Sequence, residues 1–219
     1  MTPDYQTAAI RAAETLIKYG ISSAPVDPLP ILKRLPGVLV LSYDDISKIA
    51  NVCRMDVLDM MGCDNQDAVT IVYVDDTVPL YVVAYNKMLP SIVVDRALAR
   101  ELGHIILGHD GTKPESVRNE EASCFAKHLL IPRPLIHAIT ATGIRLTTQV
   151  MNNLTGCNDQ CISCVRRLPA VSVPAELNRQ VRDQFMPYLI NYFNYQRSAE
   201  KHDVTALADL GTYMDGYVE

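Results

Sequence analysis

The sequence predicts an α+β fold in which a small sheet of about three strands lies among helices, with a helical extension behind it. The segments that predict strands all precede residue 86, whereas almost everything after Leu89 repeats its apolar residues at helical spacing. The length of 219 residues, of which 48% are hydrophobic and 21% charged, suits one hydrophobic core with an appendage better than two full domains.

Three segments are predicted strands. Val38–Leu41 follows the turn at Pro36–Gly37, and residues 69–74 and 80–85 are separated by the polar stretch 75–79. β-Branched and aromatic residues favour extended backbone, and a short polar stretch between two such runs is typical of a hairpin. We therefore expect the last two segments to pair with each other.

The chain begins with a helix-start signal. Thr2 has the hydroxyl of an N-cap, Pro3 suits the first helical position, and Asp4 adds an acid to the first turn. The sequence therefore predicts a first helix that starts at Pro3 and runs to Gly20.

Two helices follow the predicted sheet. The first extends from Ser91 to about His109, where Asp110–Gly111 ends it, and the second spans residues 115–131 and is stopped by Pro132. Each has one apolar face, so we expect both to pack in the core.

The C-terminal part is predicted to be helical. Residues 146–168 have the layout of a helix-turn-helix unit around Thr155–Gly156, and an amphipathic helix follows from Glu176 to about Arg197. The helix pair either packs on the preceding domain or reads DNA, and the acidity of the chain favours packing. An acidic tail after Glu200 is typical of a solvated or partner-binding extension.

The charge balance bears on possible partners. With 20 Lys and Arg against 25 Asp and Glu, the net charge is −5, and this sign argues against direct binding to DNA or to an anionic membrane. No apolar run is long enough for a membrane span, and the N-terminus lacks the pattern of a secretory signal. We therefore expect a cytoplasmic protein.

Six cysteines are present, and in the cytoplasm we expect them to be thiols or metal ligands rather than disulfides. Cys157, Cys161 and Cys164 have the spacing that radical S-adenosylmethionine enzymes use for an iron–sulfur cluster. The same spacing places all three on one face of a predicted helix, where cysteine is an ordinary small buried residue. This context argues against a cluster and leaves the role of the three thiols open.

The most informative segment is Arg100–His104, RELGH, in the helix predicted to start at Ser91. Zinc peptidases use the pattern HExxH because residues i and i+4 share one helical face. Two imidazoles then reach one metal while the Glu acts as base on the bound water. Glu101 and His104 match this pattern, and Arg100 stands where the first histidine is expected.

Around this motif the chain resembles the ImmA/IrrE family of metallo-endopeptidases. Members share a PVDPLxIL-like connector, a strand that ends in YN, a helix that ends in HELGHxxLGH and a following helix of the form EEAxxFAxxLLxP. The corresponding stretches here are PVDPL at 25–29, YN at 85–86, ELGHIILGH at 101–109 and EEASCFAKHLLIP at 120–132. The resemblance implies a zincin-like peptidase domain at residues 1–135, followed by the helical extension at 136–219.

The resemblance also implies a cofactor, site residues and a partner. The cofactor is zinc, Glu101 matches the catalytic base, and His104 and Glu121 match metal ligands, with Glu120 as the second choice for the carboxylate. The partner is a protein, a helix-turn-helix repressor of a phage, mobile element or stress regulon, which members of the family cleave or bind to release repression.

Arg100 leaves two functions open. A guanidinium is a permanent cation without a lone pair, so it repels zinc instead of binding it. One hypothesis is a zinc endopeptidase with an altered ligand set, for which the replacement candidates are His109, Cys124 and His128. The other is a non-catalytic regulator that holds its partner in the same groove, with Arg100 balancing the charge of the carboxylates in place of the metal. If the rest of the site is intact, Arg100→His is expected to create zinc binding.

Overall fold

The structure is a computed structural model that describes residues 1–53, 55–57, 67–74, 79–141, 147–156 and 171–214, without the side chains of residues 74, 153 and 196–214. The strands within these residues are β1 (Val38–Ser42), β2 (Ala68–Val74) and β3 (Pro79–Tyr85). The helices are α1 (Tyr5–Lys18), α2 (Pro28–Lys33), α3 (Tyr43–Ala50), α4 (Ser91–Ile106), α5 (Glu115–Leu130), α6 (Arg133–Ala141), α7 (Thr148–Thr155) and α8 (Ala175–Met214).

The three strands form one sheet in the order β1-β3-β2. β2 is antiparallel to β3, with Thr70 opposite Val83, and β1 is parallel to β3, with Val40 opposite Val83. The α+β class, the small sheet and the pairing of β2 with β3 are confirmed. The place of β1 beside β3 is not evident from the sequence, because it depends on a pairing between segments far apart in the chain.

The main core lies between the sheet and helices from both halves of the chain. Helix α4 packs on β2, on β3 and on α5, and α1 packs on α5. Helix α8 packs on α1 and α6. Fully buried side chains of this core include Leu16, Ile31, Leu98, Leu102, Phe125, Leu129 and Phe185. The apolar faces predicted for α4 and α5 are thus buried against each other and the sheet.

Helix α1 begins two residues later than the sequence predicts. Asp4, not Thr2, is the N-cap, and its carboxylate accepts hydrogen bonds from the amide of Thr7 at 2.9 Å and from its hydroxyl at 2.7 Å. A carboxylate at the positive end of a helix dipole is a stronger acceptor than a hydroxyl, which explains the shift. Pro3 therefore lies before the helix.

Helix α4 ends at Ile106, before the predicted end near His109. The amide of Gly108 donates to the carbonyl of Ile105 and the amide of His109 to the carbonyl of His104, both at 3.1 Å, and Gly108 has a φ of 65°. These bonds define a Schellman turn, whose left-handed position suits glycine. Because Gly108 ends the helix ahead of Asp110, His109 folds back towards α4.

Gly103 sets the distance between α4 and α5. A Cβ atom at this position would lie 3.1 Å from the carbonyl oxygen of Ala122 and 3.1 Å from Cδ1 of Phe125. The missing side chain therefore permits the close packing of the two helices on which the RELGH and EEA motifs lie.

The C-terminal part is helical, as predicted, but α8 runs to Met214, well beyond the predicted end near Arg197, and so takes in much of the segment predicted as an acidic tail. The first helix of the predicted helix-turn-helix unit is α7, which ends at Gly156 in a left-handed conformation. The second helix of that unit, with Cys157, Cys161 and Cys164, falls outside the described residues. The division of the chain between residues 135 and 136 stays a prediction, and α6 runs across that point. In the part of the chain that the structure describes, no helix combines the length and apolarity that a bilayer crossing needs.

Candidate active site

A cleft of about 430 Å³ opens beside β2, α4 and the start of α5. It is lined by Asp67, Val69, Thr70, Val72, Tyr81, Arg100, Glu101, His104, Ile105, His109, Glu115, Arg118 and Asn119. The predicted base Glu101 and the predicted ligand His104 share this cleft because they lie three positions apart on α4.

Glu101 is buried in this cleft, with 5% of its surface exposed. Its Oε2 accepts a hydrogen bond from the hydroxyl of Thr70 at 2.8 Å, and its Oε1 accepts one from Nε of Arg100 at 3.2 Å. Nη2 of Arg100 lies 3.2 Å from the same oxygen in an ion pair. Burial raises the pKa of Glu101 above its usual value, although the donors on Thr70 and Arg100 oppose that shift. Both oxygens of the predicted base therefore have a partner.

His104 is linked to Glu121 through His109. Nδ1 of His104 lies 2.9 Å from Nδ1 of His109, and Nε2 of His109 lies 3.0 Å from Oε2 of Glu121. An ionised carboxylate only accepts, so Nε2 of His109 carries the proton, and its Nδ1 accepts the proton on Nδ1 of His104. The remaining nitrogen of His104, Nε2, therefore carries the lone pair.

Both histidines are neutral near pH 7. Burial is the largest cause that lowers the pKa of His104 to about 4, and the neighbouring His109, Arg100 and Arg118 add to it. Burial also lowers the pKa of His109, against the opposing effect of Glu121. Neutral rings are what the hydrogen-bond pattern between the two histidines requires.

Glu121 is 2% exposed and does not line the cleft. Nζ of Lys113 lies 2.9 Å from its Oε1 and 2.8 Å from its Oε2, and the amide of Asp4 donates to Oε1 at 2.8 Å. Burial by itself would raise the pKa of Glu121, but the hydrogen bonds from Lys113, Asp4 and His109 outweigh it, so the pKa lies below its usual value. Glu121 is therefore an ionised carboxylate whose partners are a lysine, an amide and a histidine.

Sequence reasoning missed Lys113, Arg118 and Thr70. Lys113 lies in the loop between α4 and α5, and Nε of Arg118 donates to its carbonyl oxygen at 3.2 Å. The only sequence signal for Lys113 is its place in that loop, four residues after His109. Arg100 contacts Glu101 as expected, whereas Lys113 makes the contact with Glu121 that the sequence assigns to Arg100.

The other candidate ligands lie away from the cleft. The carboxylate of Glu120 accepts a hydrogen bond from the hydroxyl of Tyr5, and Sγ of Cys124 donates to the carbonyl of Tyr5 at 3.7 Å. His128 is buried at a second cavity of about 160 Å³, between α1, α6 and α8. Of the three proposed replacement ligands, His109 alone is at the site.

The side chains of the site do not fit a zinc ion held by an HExxH pattern. Arg100 has no lone pair, and both oxygens of Glu121 face Lys113 at hydrogen-bond distance. His104 keeps a nitrogen with a lone pair, but one imidazole is not a zinc site. Among the described residues, no group of three or more His, Cys, Asp and Glu side chains is arranged to hold a metal ion.

The small sheet and the packed pair of helices beside the cleft are consistent with a zincin-like α+β domain. Residues 52–154 match the family model described as Peptidase_M78, IrrE N-terminal-like domain. This match supports an ImmA/IrrE family domain in that part of the chain, in line with the motifs of the sequence. Comparison with the curated proteins gave no similar protein, and comparison with the solved structures gave no similar structure.

Proposed function

We propose that the protein is a non-catalytic regulator that binds a partner protein in the cleft beside β2. The observation that carries this proposal is the position of Arg100, which stands where the first metal ligand is expected and contacts Glu101 at 3.2 Å. A carboxylate paired with a permanent cation is a weaker proton acceptor. The residue that matches the base is thus occupied by an ion pair and a hydrogen bond, in a site whose donor set does not fit zinc.

The cleft offers a surface for a peptide segment. β2 lies at the edge of the sheet, and within the described residues it pairs with β3 alone. An extended segment of a partner adds to such an edge through main-chain hydrogen bonds. Arg100, Arg118 and Tyr81 line the same cleft, so side-chain donors lie next to the bound backbone.

The partner that we propose is a helix-turn-helix transcriptional repressor of a phage, mobile element or stress regulon. Family resemblance supports it, because related proteins act on such repressors. The net charge of −5 argues that the protein contacts the repressor and not the operator DNA. A repressor partner also places the protein in the cytoplasm.

A zinc endopeptidase is the second candidate. It is favoured by one observation, that Glu101 and His104 line the same cleft and His104 keeps an unprotonated Nε2. In that case Glu101 is the base, and His104 and Glu121 are the metal ligands.

Binding and cleavage of a repressor separate the two candidates. The full chain is mixed with candidate repressors of the same host, with and without excess zinc, and the products are followed by calorimetry and mass spectrometry. We expect binding without cleavage, weakened by Arg118→Glu in the cleft and unchanged by Arg96→Glu on the exposed face of α4. Cleavage that needs zinc and disappears in Glu101→Gln would establish the peptidase instead, and failure of every repressor to bind would remove the proposed partner.

A further inference from the structure

We propose that Arg100 and Lys113 together replace the divalent cation expected of this fold, each neutralising one of the two carboxylates at the site. The domain is then complete without a metal. This inference concerns the centre itself and holds whichever partner the cleft binds.

The two carboxylates that match the base and the metal ligand are each paired with a cation. Glu101 is in direct contact with Arg100 at 3.2 Å, and Glu121 with Lys113 at 2.8 Å. A zinc ion carries the same charge as the two cations together, so zinc added to the centre as it stands would meet carboxylates that are already neutralised by Arg100 and Lys113.

Lys113 is held in place and is not a free surface lysine. Its ammonium contacts both oxygens of Glu121, which is 2% exposed, while 38% of the Lys113 side chain remains exposed. Arg118 donates to the carbonyl of the same lysine, and the amide of Asp4 donates to Oε1 of Glu121. Arg118 thus contacts the loop between α4 and α5, and Asp4 contacts the carboxylate that the lysine pairs with.

The ion pair between Lys113 and Glu121 limits the zinc affinity that Arg100→His alone can restore. Arg100→His supplies the missing imidazole, but Lys113 still covers both oxygens of the carboxylate ligand. Full zinc affinity therefore requires that both cations be removed. Partners that hold or release a ligand carboxylate change metal affinity by roughly 10- to 100-fold, which is the range expected for the effect of Lys113.

The test is a zinc titration of the full chain, followed by calorimetry and by metal analysis after dialysis. We compare the wild type, Arg100→His, Lys113→Gln and the double variant, with Lys48→Gln on α3 as the control. The wild type and Lys48→Gln should retain no stoichiometric zinc, and the double variant should bind zinc at least about 10-fold more tightly than Arg100→His. Stoichiometric zinc in the wild type, or equal affinity of Arg100→His and the double variant, would overturn the inference.

A second measurement covers the case in which the double variant does not fold. The melting temperatures of Lys113→Arg and Lys113→Gln are compared in the presence of a chelator. If Lys113 supplies the charge in place of a metal, the arginine variant should keep the melting temperature of the wild type and the glutamine variant should lose several degrees. Equal melting temperatures of the two variants would contradict the proposal.

Discussion

Nδ1 of His109 lies 2.9 Å from Nδ1 of His104, although five positions separate the two residues. On a continuous helix, residues five apart share a face less well than residues four apart. The Schellman turn at Gly108 removes that restriction, because it ends α4 at Ile106 and turns His109 back. The contact places His109 between His104 and Glu121 and thereby fixes which nitrogen of His104 carries the lone pair.

Gly108→Ala should break this contact. A left-handed φ costs a residue with a Cβ atom roughly 1–2 kcal/mol. Beyond the chain neighbours of Gly108, no described residue has an atom within 4 Å of the Cβ position, so the effect is on the backbone alone. Gly20→Ala is a matched control, because Gly20 has a φ of 67° and equally open surroundings. Both variants should lose similar stability in denaturant unfolding, but the nitrogen chemical shifts of His104 and His109 should change in Gly108→Ala alone. Unchanged histidine shifts in Gly108→Ala would show that the turn does not hold His109.

Gly103→Ala should destabilise the packing of α4 on α5. Alanine normally favours a helix over glycine, but here its Cβ would lie 3.1 Å from the backbone oxygen of Ala122, which has little room to move. Overpacking of this kind costs about 1–3 kcal/mol, measured as the free energy of unfolding. Arg96→Ala, on the exposed face of α4, is the control and should have little effect. A Gly103→Ala variant as stable as the wild type would mean that the two helices are less closely packed than described.

Thr70→Val tests how Glu101 is held. Valine has nearly the shape of threonine but lacks the hydroxyl that donates to Oε2 of Glu101 at 2.8 Å. Loss of a hydrogen bond to a charged group should lower the free energy of unfolding by about 1.5–3 kcal/mol. Thr70→Ser keeps the hydroxyl and should restore most of the loss. If serine and valine destabilise equally, packing and not the hydrogen bond is what Thr70 contributes.

The burial of His128, outside the cleft, predicts that the protein loses stability at low pH. It is 6% exposed and its Nε2 is buried without a hydrogen-bond partner among the described residues, and burial is the main cause that lowers its pKa to about 4. Above about pH 6.5 the ring is neutral in both folded and unfolded chains, so it has no effect on stability. As the pH falls, the unfolded chain takes up the proton first, and about 3 kcal/mol of stability should be lost between pH 6.5 and 4.

The measurement is the free energy of unfolding against pH for the wild type and His128→Gln. The variant should lose less stability on acidification than the wild type. His104 also has a pKa lowered to about 4, so the difference between the curves, and not the wild-type curve itself, reports on His128. Parallel curves for the wild type and His128→Gln would contradict the assignment.

Local patterns in the sequence predict the elements and part of the site. The strands β2 and β3, the helices α4 and α5, and the meeting of Glu101 with His104 all follow from spacing within one segment. The predicted N-cap of α1, Thr2, lies two residues before the observed one, Asp4. The choice between them depends on which acceptor reaches the amide of Thr7. Local sequence patterns do not show which of two possible N-cap side chains makes this hydrogen bond.

The rest of the site depends on contacts between distant segments. Glu121 is correctly placed on α5, but its partners come from the loop before that helix and from the N-terminus, in Lys113 and Asp4. The packing of α1, α4 and α5 decides whether Glu121 faces the cleft or a lysine. The sequence motifs do not predict this packing. The second helix of the predicted helix-turn-helix unit stays a prediction.

The central claim, that the site is balanced by Arg100 and Lys113 without a metal, is tested most directly by the zinc content of the purified full chain. The protein is dialysed against a modest excess of zinc and then against buffer, and bound zinc is measured by mass spectrometry together with the melting temperature. The account predicts no stoichiometric zinc and a melting temperature that a chelator does not change. Stoichiometric zinc that is lost in His104→Ala or Glu121→Gln, with a melting temperature lowered by the chelator, would contradict it.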